Sequence, residues 1–153
     1  MLKLDETDLK LLTLLQSDCK RTTAAYGKDL NLSTTAVYER IKRLERTGVV
    51  ARYVALIDKK KINKAFTVLC QVKLSQHIKD YVLQFEREIL RLEEVVECYH
   101  TSGDYDYTLK IHVSDIAAYR EFMVTKLTAI ANIGSTQSSF VINEVKHTTA
   151  IRT

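Results

Sequence analysis

The chain has 153 residues, 46% of them hydrophobic and 27% charged, with a formal net charge of +4 and three cysteines. This is the composition of a folded chain of one ordinary domain or two small ones, and no stretch approaches the roughly 18 apolar residues that a membrane span needs. The N-terminal MLKLDETDLK carries acids at once and lacks the pattern of a signal peptide, so the expected location is the cytoplasm, with no membrane partner.

Charge is unevenly placed. Residues 1–60 hold 12 Lys+Arg against 8 Asp+Glu, and residues 61–153 hold 11 against 11, so the whole positive excess lies in the first part of the chain. A basic module beside a neutral one is the asymmetry of a polyanion binder with a separate partner domain. Cys19, Cys70 and Cys98 are odd in number and far apart, which excludes a disulfide framework and a Cys-based zinc site. Cys70 and Cys98 stand among apolar residues and are expected to be buried thiols. No cofactor is expected.

The first predicted helix starts at Asp5, with Asp8 three residues on as in a capping box and Leu4 placed to staple to Leu9. Leu9, Leu12 and Leu15, widened by Leu11 and Leu14, give its apolar stripe. A short second helix covers about 23–30, and Asn31 supplies a turn. Ser33 caps a third helix, in which Val37, Ile41 and Leu44 recur at i, i+4 and i+7. Gly48 ends it, and Val49 is placed to close on Leu44. VVARYVALID then predicts a short β-segment, which makes the whole a winged helix-turn-helix over residues 1–57. KKKINK, within 58–64, is expected to be a linker.

From residue 65 to 153 the period changes to two. Phe66, Val68, Cys70, Val72 and Leu74 alternate with other residues and predict a strand. A helix is predicted over 78–92, a strand over 95–101, a strand from Tyr105 to Val113, a helix over 115–130 and a last strand over 135–145. The order β-α-β-β-α-β predicts a ferredoxin-like αβ-sandwich, so the fold class is α+β. Both helices cover one face of the sheet, and the other face needs a second copy, which argues for a homodimer.

An α-helix of this length fits the major groove of double-stranded DNA. With the stripe of the third helix turned inward, Thr34, Thr35, Tyr38 and Glu39 are candidates for base edges. Arg40, Lys42, Arg43 and Arg46 are candidates for phosphates, with Ser33 at the cap and Arg21 and Arg52 at the flanks. In HTSGDYDY, Gly103 permits a tight turn between strands. There the residues leave two readings open: a turn capped by its own Asp, or a ligand site at the sheet edge.

LDETDLKLLTLLQSDCKRT, NLSTTAVYERIKRLERTGVV, VVECYHTSGDYDYTLKIHV and GSTQSSFVINEVKHTTAI together resemble the Lrp/AsnC family of prokaryotic transcription regulators. The resemblance spans nearly the whole chain. It implies a DNA-binding winged helix-turn-helix, a C-terminal sensing and oligomerisation domain, and dimers that assemble to tetramers or octamers. It also implies a small-molecule effector, an amino acid in many members. By motif position the effector residues are His100, Thr101, Ser102, Gly103, Asp104 and Tyr105, with Thr136, Gln137 and Ser138. The chain departs from the family pattern in having Thr34 after the capping Ser33, Gly27 in the second helix and Ile133 before Gly134. Two other readings remain: a haem-pathway decarboxylase of the same two-part fold, using His100 and His112, and an amino-acid sensor acting on protein partners. No P-loop, G-x-S-x-G or H-E-x-x-H motif is present, and an enzyme is not expected.

Overall fold

The computed structural model describes residues 3–152; residues 1, 2 and 153 lie outside the described residues. The chain divides into two compact units, Met1–Leu56 with Lys146–Thr153, and Ile57–Val145.

The first unit is built on three helices, α1 (Glu6–Ser17), α2 (Thr23–Leu30) and α3 (Thr34–Arg46). Each has a side-chain N-cap, from Asp5, Thr22 and Ser33. At α1 the capping box forms in full: Asp5 accepts the Asp8 N–H at 2.8 Å, and Asp8 accepts the Asp5 N–H at 3.0 Å. Leu11, Leu12, Leu15, Tyr26, Val37 and Leu44 make the core. Leu9 stays outside that buried set, because the inward stripe runs Asp8, Leu11, Leu12, Leu15.

Gly48, at φ +74°, ends α3. The residue that returns to the core is Val50, whose N–H donates to the Leu44 carbonyl at 3.1 Å; Val49 is exposed. The short β-segment expected for the wing does not form a strand among the described residues. Residues 51–58 have no ladder partner among the described residues, and Val54, Leu56 and Ile57 are exposed. β-propensity alone makes no strand without a neighbour to satisfy its backbone groups. Residues 146–152 pack in this first unit rather than with the sheet. The Gln16 amide clasps Ile151, donating to its carbonyl at 3.0 Å and accepting its N–H at 2.6 Å.

The second unit is a four-stranded antiparallel sheet in the order β2-β3-β1-β4, with β1 Phe66–Leu74, β2 Val95–His100, β3 Tyr107–Val113 and β4 Ile133–Phe140. Two helices, α4 (Lys79–Ile89) and α5 (Ile116–Phe122), supply Phe85, Ile89, Tyr119 and Phe122 to the core, against Val68, Cys70, Val72, Leu109 and Ile111. A π-helical turn, Met123–Leu127, follows α5 where a continuous helix was expected. Phe122 and Leu127 both reach the core, five residues apart. Regular α-spacing would have turned Lys126 inward. The wider turn puts Leu127 there instead and lets Lys126 pair with Glu94 at 2.6 Å. In the segment expected as a linker, Lys59 Nζ bonds Thr67 at 3.3 Å and Glu144 at 2.9 Å within this unit. Cys70 is buried as expected; Cys98 is exposed, because β2 is an edge strand.

Candidate nucleic-acid interface and effector loop

The turn between α2 and α3 is set by close backbone approach. Asn31 takes the left-handed conformation at φ 54°, and the Leu32 N–H donates to the Gly27 carbonyl at 2.9 Å. A Cβ at residue 27 would stand 2.6 Å from the Leu32 carbonyl oxygen, so glycine is what lets this turn close. Ser33 then accepts the Ala36 N–H at 3.2 Å and is occupied as a cap.

Val37 and Leu44 turn inward, which leaves Thr34, Thr35, Tyr38, Glu39, Lys42 and Arg46 exposed along the opposite side of α3. Arg40 and Arg43 were expected at phosphates. In the structure both reach back to α1 while staying partly exposed. Arg40 bonds Asp5 at 2.8 Å and Asp8 at 2.7 Å, and Arg43 bonds both oxygens of Asp8 at 2.5 Å. Asp8 is wholly buried. A buried carboxylate is stable only with charge partners and hydrogen bonds, so in this structure the two arginines brace α3 against α1.

Arg21 also has an internal role. It pairs with Asp29 at 2.5 Å and its guanidinium lies 5.1 Å from the centroid of the Tyr26 ring. Lys42 pairs with Glu45 at 2.8 Å, and Glu45 accepts the Tyr53 hydroxyl at 3.0 Å. Arg46 on α3 and Arg52 beyond it are exposed and have no ion pair among the described residues. The face offers hydroxyls and Glu39 at its N-terminal end and cations toward its C-terminal end.

The expected effector residues divide by strand periodicity. His100 is opposite Tyr107 and stacks on its ring at 4.6 Å, on the helix-covered side of the sheet. Thr136 and Ser138, opposite Val72 and Cys70, share that side, and Ser138 Oγ lies 2.5 Å from the Tyr119 hydroxyl. Gln137 is on the open side, where it accepts the Tyr105 hydroxyl at 3.0 Å. The structure therefore brings Tyr105 to Gln137 and places His100, Thr136 and Ser138 on the other face.

Thr101, Ser102, Gly103 and Asp104 form the connection between β2 and β3, with Gly103 at φ +122°. The residue that anchors this loop is Asp106, which sequence reasoning left out of the candidate site. It accepts the Leu74 N–H at 2.7 Å and lies 2.8 Å from His77, and its own N–H donates to Val72 at 2.9 Å. Burial works to raise its carboxyl, but the Leu74 N–H and His77 outweigh burial and hold it below the ordinary 3.8. Asp106 thus ties the loop across to β1 rather than capping its own turn. An aspartate right after a Gly-Asp turn was the available signal.

His112 projects on the open face, 3.0 Å from Thr67 Oγ1, while His100 is on the helix side. Burial and the nearby Lys59 and Lys110 push the His112 imidazole down and favour its neutral form. The two histidines do not share a pocket within one chain.

A helix-turn-helix with a polar and cationic outer face, joined to a sheet covered by helices on one side, is the build of a DNA-binding regulator with a separate sensing unit. Comparison with known proteins agrees with that class. Residues 4–45 match the AsnC-type helix-turn-helix domain and residues 67–151 match the Lrp/AsnC ligand binding domain. The DNA-binding transcriptional activator DecR of Escherichia coli K12 is 33% identical over 148 residues, covering 97% of each chain. The leucine-responsive regulatory protein of Haemophilus influenzae is 37% identical over 145 residues, 95% of this chain and 87% of its own. A transcriptional regulator of Neisseria meningitidis, crystallised as a complex with L-Met, superposes with a TM-score of 0.94 at 31% identity, over 97% of this chain and 96% of that one. The chain belongs to the Lrp/AsnC family of transcription regulators.

Proposed function

We propose that the protein is a sequence-specific regulator of transcription that lays α3 in the major groove of double-stranded DNA and answers to a small effector, an α-amino acid. The observation that carries the reading is the exposed row Thr34, Thr35, Tyr38, Glu39, Lys42 and Arg46, set on a helix whose other side is locked to α1 and α2. Thr34, Thr35, Tyr38 and Glu39 address base edges, and Lys42, Arg46 and Arg52 address phosphates. The L-Met complex of the Neisseria meningitidis relative supports an amino acid as effector. In the second unit the loop 101–106 and the start of β4 are the proposed contact region. Because Gln137 and Ser138 point to opposite faces, a ligand there meets only part of that set from one chain. The protein acts in the cytoplasm, where chromosomal DNA is its partner.

The test is retardation of chromosomal DNA fragments at low salt, with and without each common L-amino acid. Binding that shifts with one of them is the expected result; no retardation at all would sink the reading and favour a sensor of protein partners. In the same assay the pair Lys42→Ala and Arg46→Ala should flatten the slope of log K against log salt by about 1.8, because two fewer phosphates are neutralised.

Assembly follows from the sheet. The face opposite α4 and α5 carries Leu69 and Tyr99, both exposed, among the bonded pairs Lys110–Glu97 and Thr67–His112. Two such faces packed together give a homodimer, and dimers associate to tetramers or octamers. Light scattering on the whole protein should report a dimer or larger, and a monomer at micromolar concentration would contradict this.

A further inference from the structure

We propose that Glu45 competes within the molecule for the Lys42 ammonium, standing where a DNA phosphate would stand and so limiting the grip of α3 on DNA of any sequence. The inference deepens the DNA-binding reading above and rests on it. Lys42 is on the outward face of α3, with its ammonium 2.8 Å from one Glu45 oxygen. The other Glu45 oxygen accepts the Tyr53 hydroxyl at 3.0 Å, so the carboxylate is held in place from a second segment. On its far side the ammonium lies 5.7 Å from the centroid of the Tyr38 ring, a further weak restraint.

Both partners are held charged. The Glu45 hydrogen bond raises Lys42, and Lys42 followed by Tyr53 lowers Glu45. Burial and Glu45 together push the Tyr53 phenol up to about 12, so it remains a donor. A phosphate that approaches Lys42 must displace the carboxylate and then stand beside an uncompensated anion. Exposed pairs of this kind are weak, so Glu45 is displaced and does not block binding. Non-specific affinity is mostly phosphate electrostatics, and a built-in carboxylate lowers that contribution on all sequences alike. Arg46, on the same face, has no such partner among the described residues, which makes Lys42 the gated cation and Arg46 the free one. Glu45 sits in a helix that the core holds through Val37 and Leu44, so changing it leaves those core contacts in place.

The experiment uses the full chain and a mixed-sequence duplex, followed by fluorescence anisotropy from about 50 to 200 mM salt. Glu45→Gln is expected to bind about 2- to 5-fold tighter. Its slope of log K against log salt should stay close to the wild-type value, because Lys42 neutralises its phosphate in both proteins once Glu45 is displaced. Tyr53→Phe keeps every charge and should leave the slope unchanged. With Lys42→Gln in the background, Glu45→Gln should change binding little. An equal gain in that background would mean that Glu45 repels phosphates without acting through Lys42, and would overturn the proposal. Unchanged or weaker binding by Glu45→Gln, with wild-type melting, would overturn it as well; Glu45→Ala repeats the measurement if the Gln variant melts early. Absence of binding by the wild-type chain is a different result, because it removes the DNA-binding reading itself.

Discussion

Asp8→Ala is expected to cost the first unit about 3–5 kcal/mol, the usual loss when one partner of a buried ionic network is removed. The change leaves Arg40 and Arg43 aimed at an empty site and breaks the capping box of α1. For a unit of this size, each kcal/mol lowers the melting temperature by roughly 4–8 °C, so the unit should melt at least about 12 °C lower. Circular dichroism of the thermal transition measures it, and DNA retardation should be lost in parallel. Asp8→Asn keeps the shape and one acceptor but not the charge, and should fall between. Arg43 Nε is buried without a partner, so the network is not fully satisfied. Replacing Asp8, Arg40 and Arg43 together by apolar residues of similar size should therefore restore most of the stability. A melting temperature within a few degrees of wild type for Asp8→Ala would refute the bracing role.

The second large effect belongs to Gly27. Gly27→Val places a Cβ 2.6 Å from the Leu32 carbonyl oxygen and adds two methyl groups near Val37. Overpacking of this kind costs about 1–3 kcal/mol or more, and here the obstacle is backbone that cannot rotate away. The turn must open, and with it the angle between α2 and α3. Gly27→Ala is the instructive control. It gains about 1 kcal/mol of helix propensity and meets the same carbonyl, so the net loss should be smaller. Differential scanning calorimetry of the two variants decides the matter. If Val were as stable as glycine, the close approach would have no energetic weight. DNA affinity should fall for Val even below its melting point, because α3 would meet the groove at another angle.

Much of this architecture is written locally. Ser33, the stripe Val37–Ile41–Leu44 and Gly48 mark α3 within one residue at its start, because capping and stripe are short-range. The period-two runs at 66–74 and 107–113 mark β1 and β3 for the same reason. What sequence could not carry depends on distant partners. Asp8 is legible as a capping residue, yet its burial is set by arginines 32 and 35 residues later. A helical wheel of α3 alone assigns Arg40 and Arg43 to solvent, since it does not know that a carboxylate waits across the interface. The split of Gln137 from Ser138 follows from strand alternation and is legible, but the placing of His100 and His112 on opposite faces depends on register between strands, which residue spacing does not reveal. The segment 51–58 reads as a strand by propensity, but pairing needs a neighbour, and none is found among the described residues.

The clasp between Gln16 and Ile151 means that the DNA-binding unit is not a contiguous stretch of the gene. Its helices are made before the sheet, and its closing segment is made after it. A nascent chain therefore carries an unfinished reading head until the segment beyond the sheet has been made. The same division makes the sheet an insertion within the helical unit, joined to it by the chain at both ends.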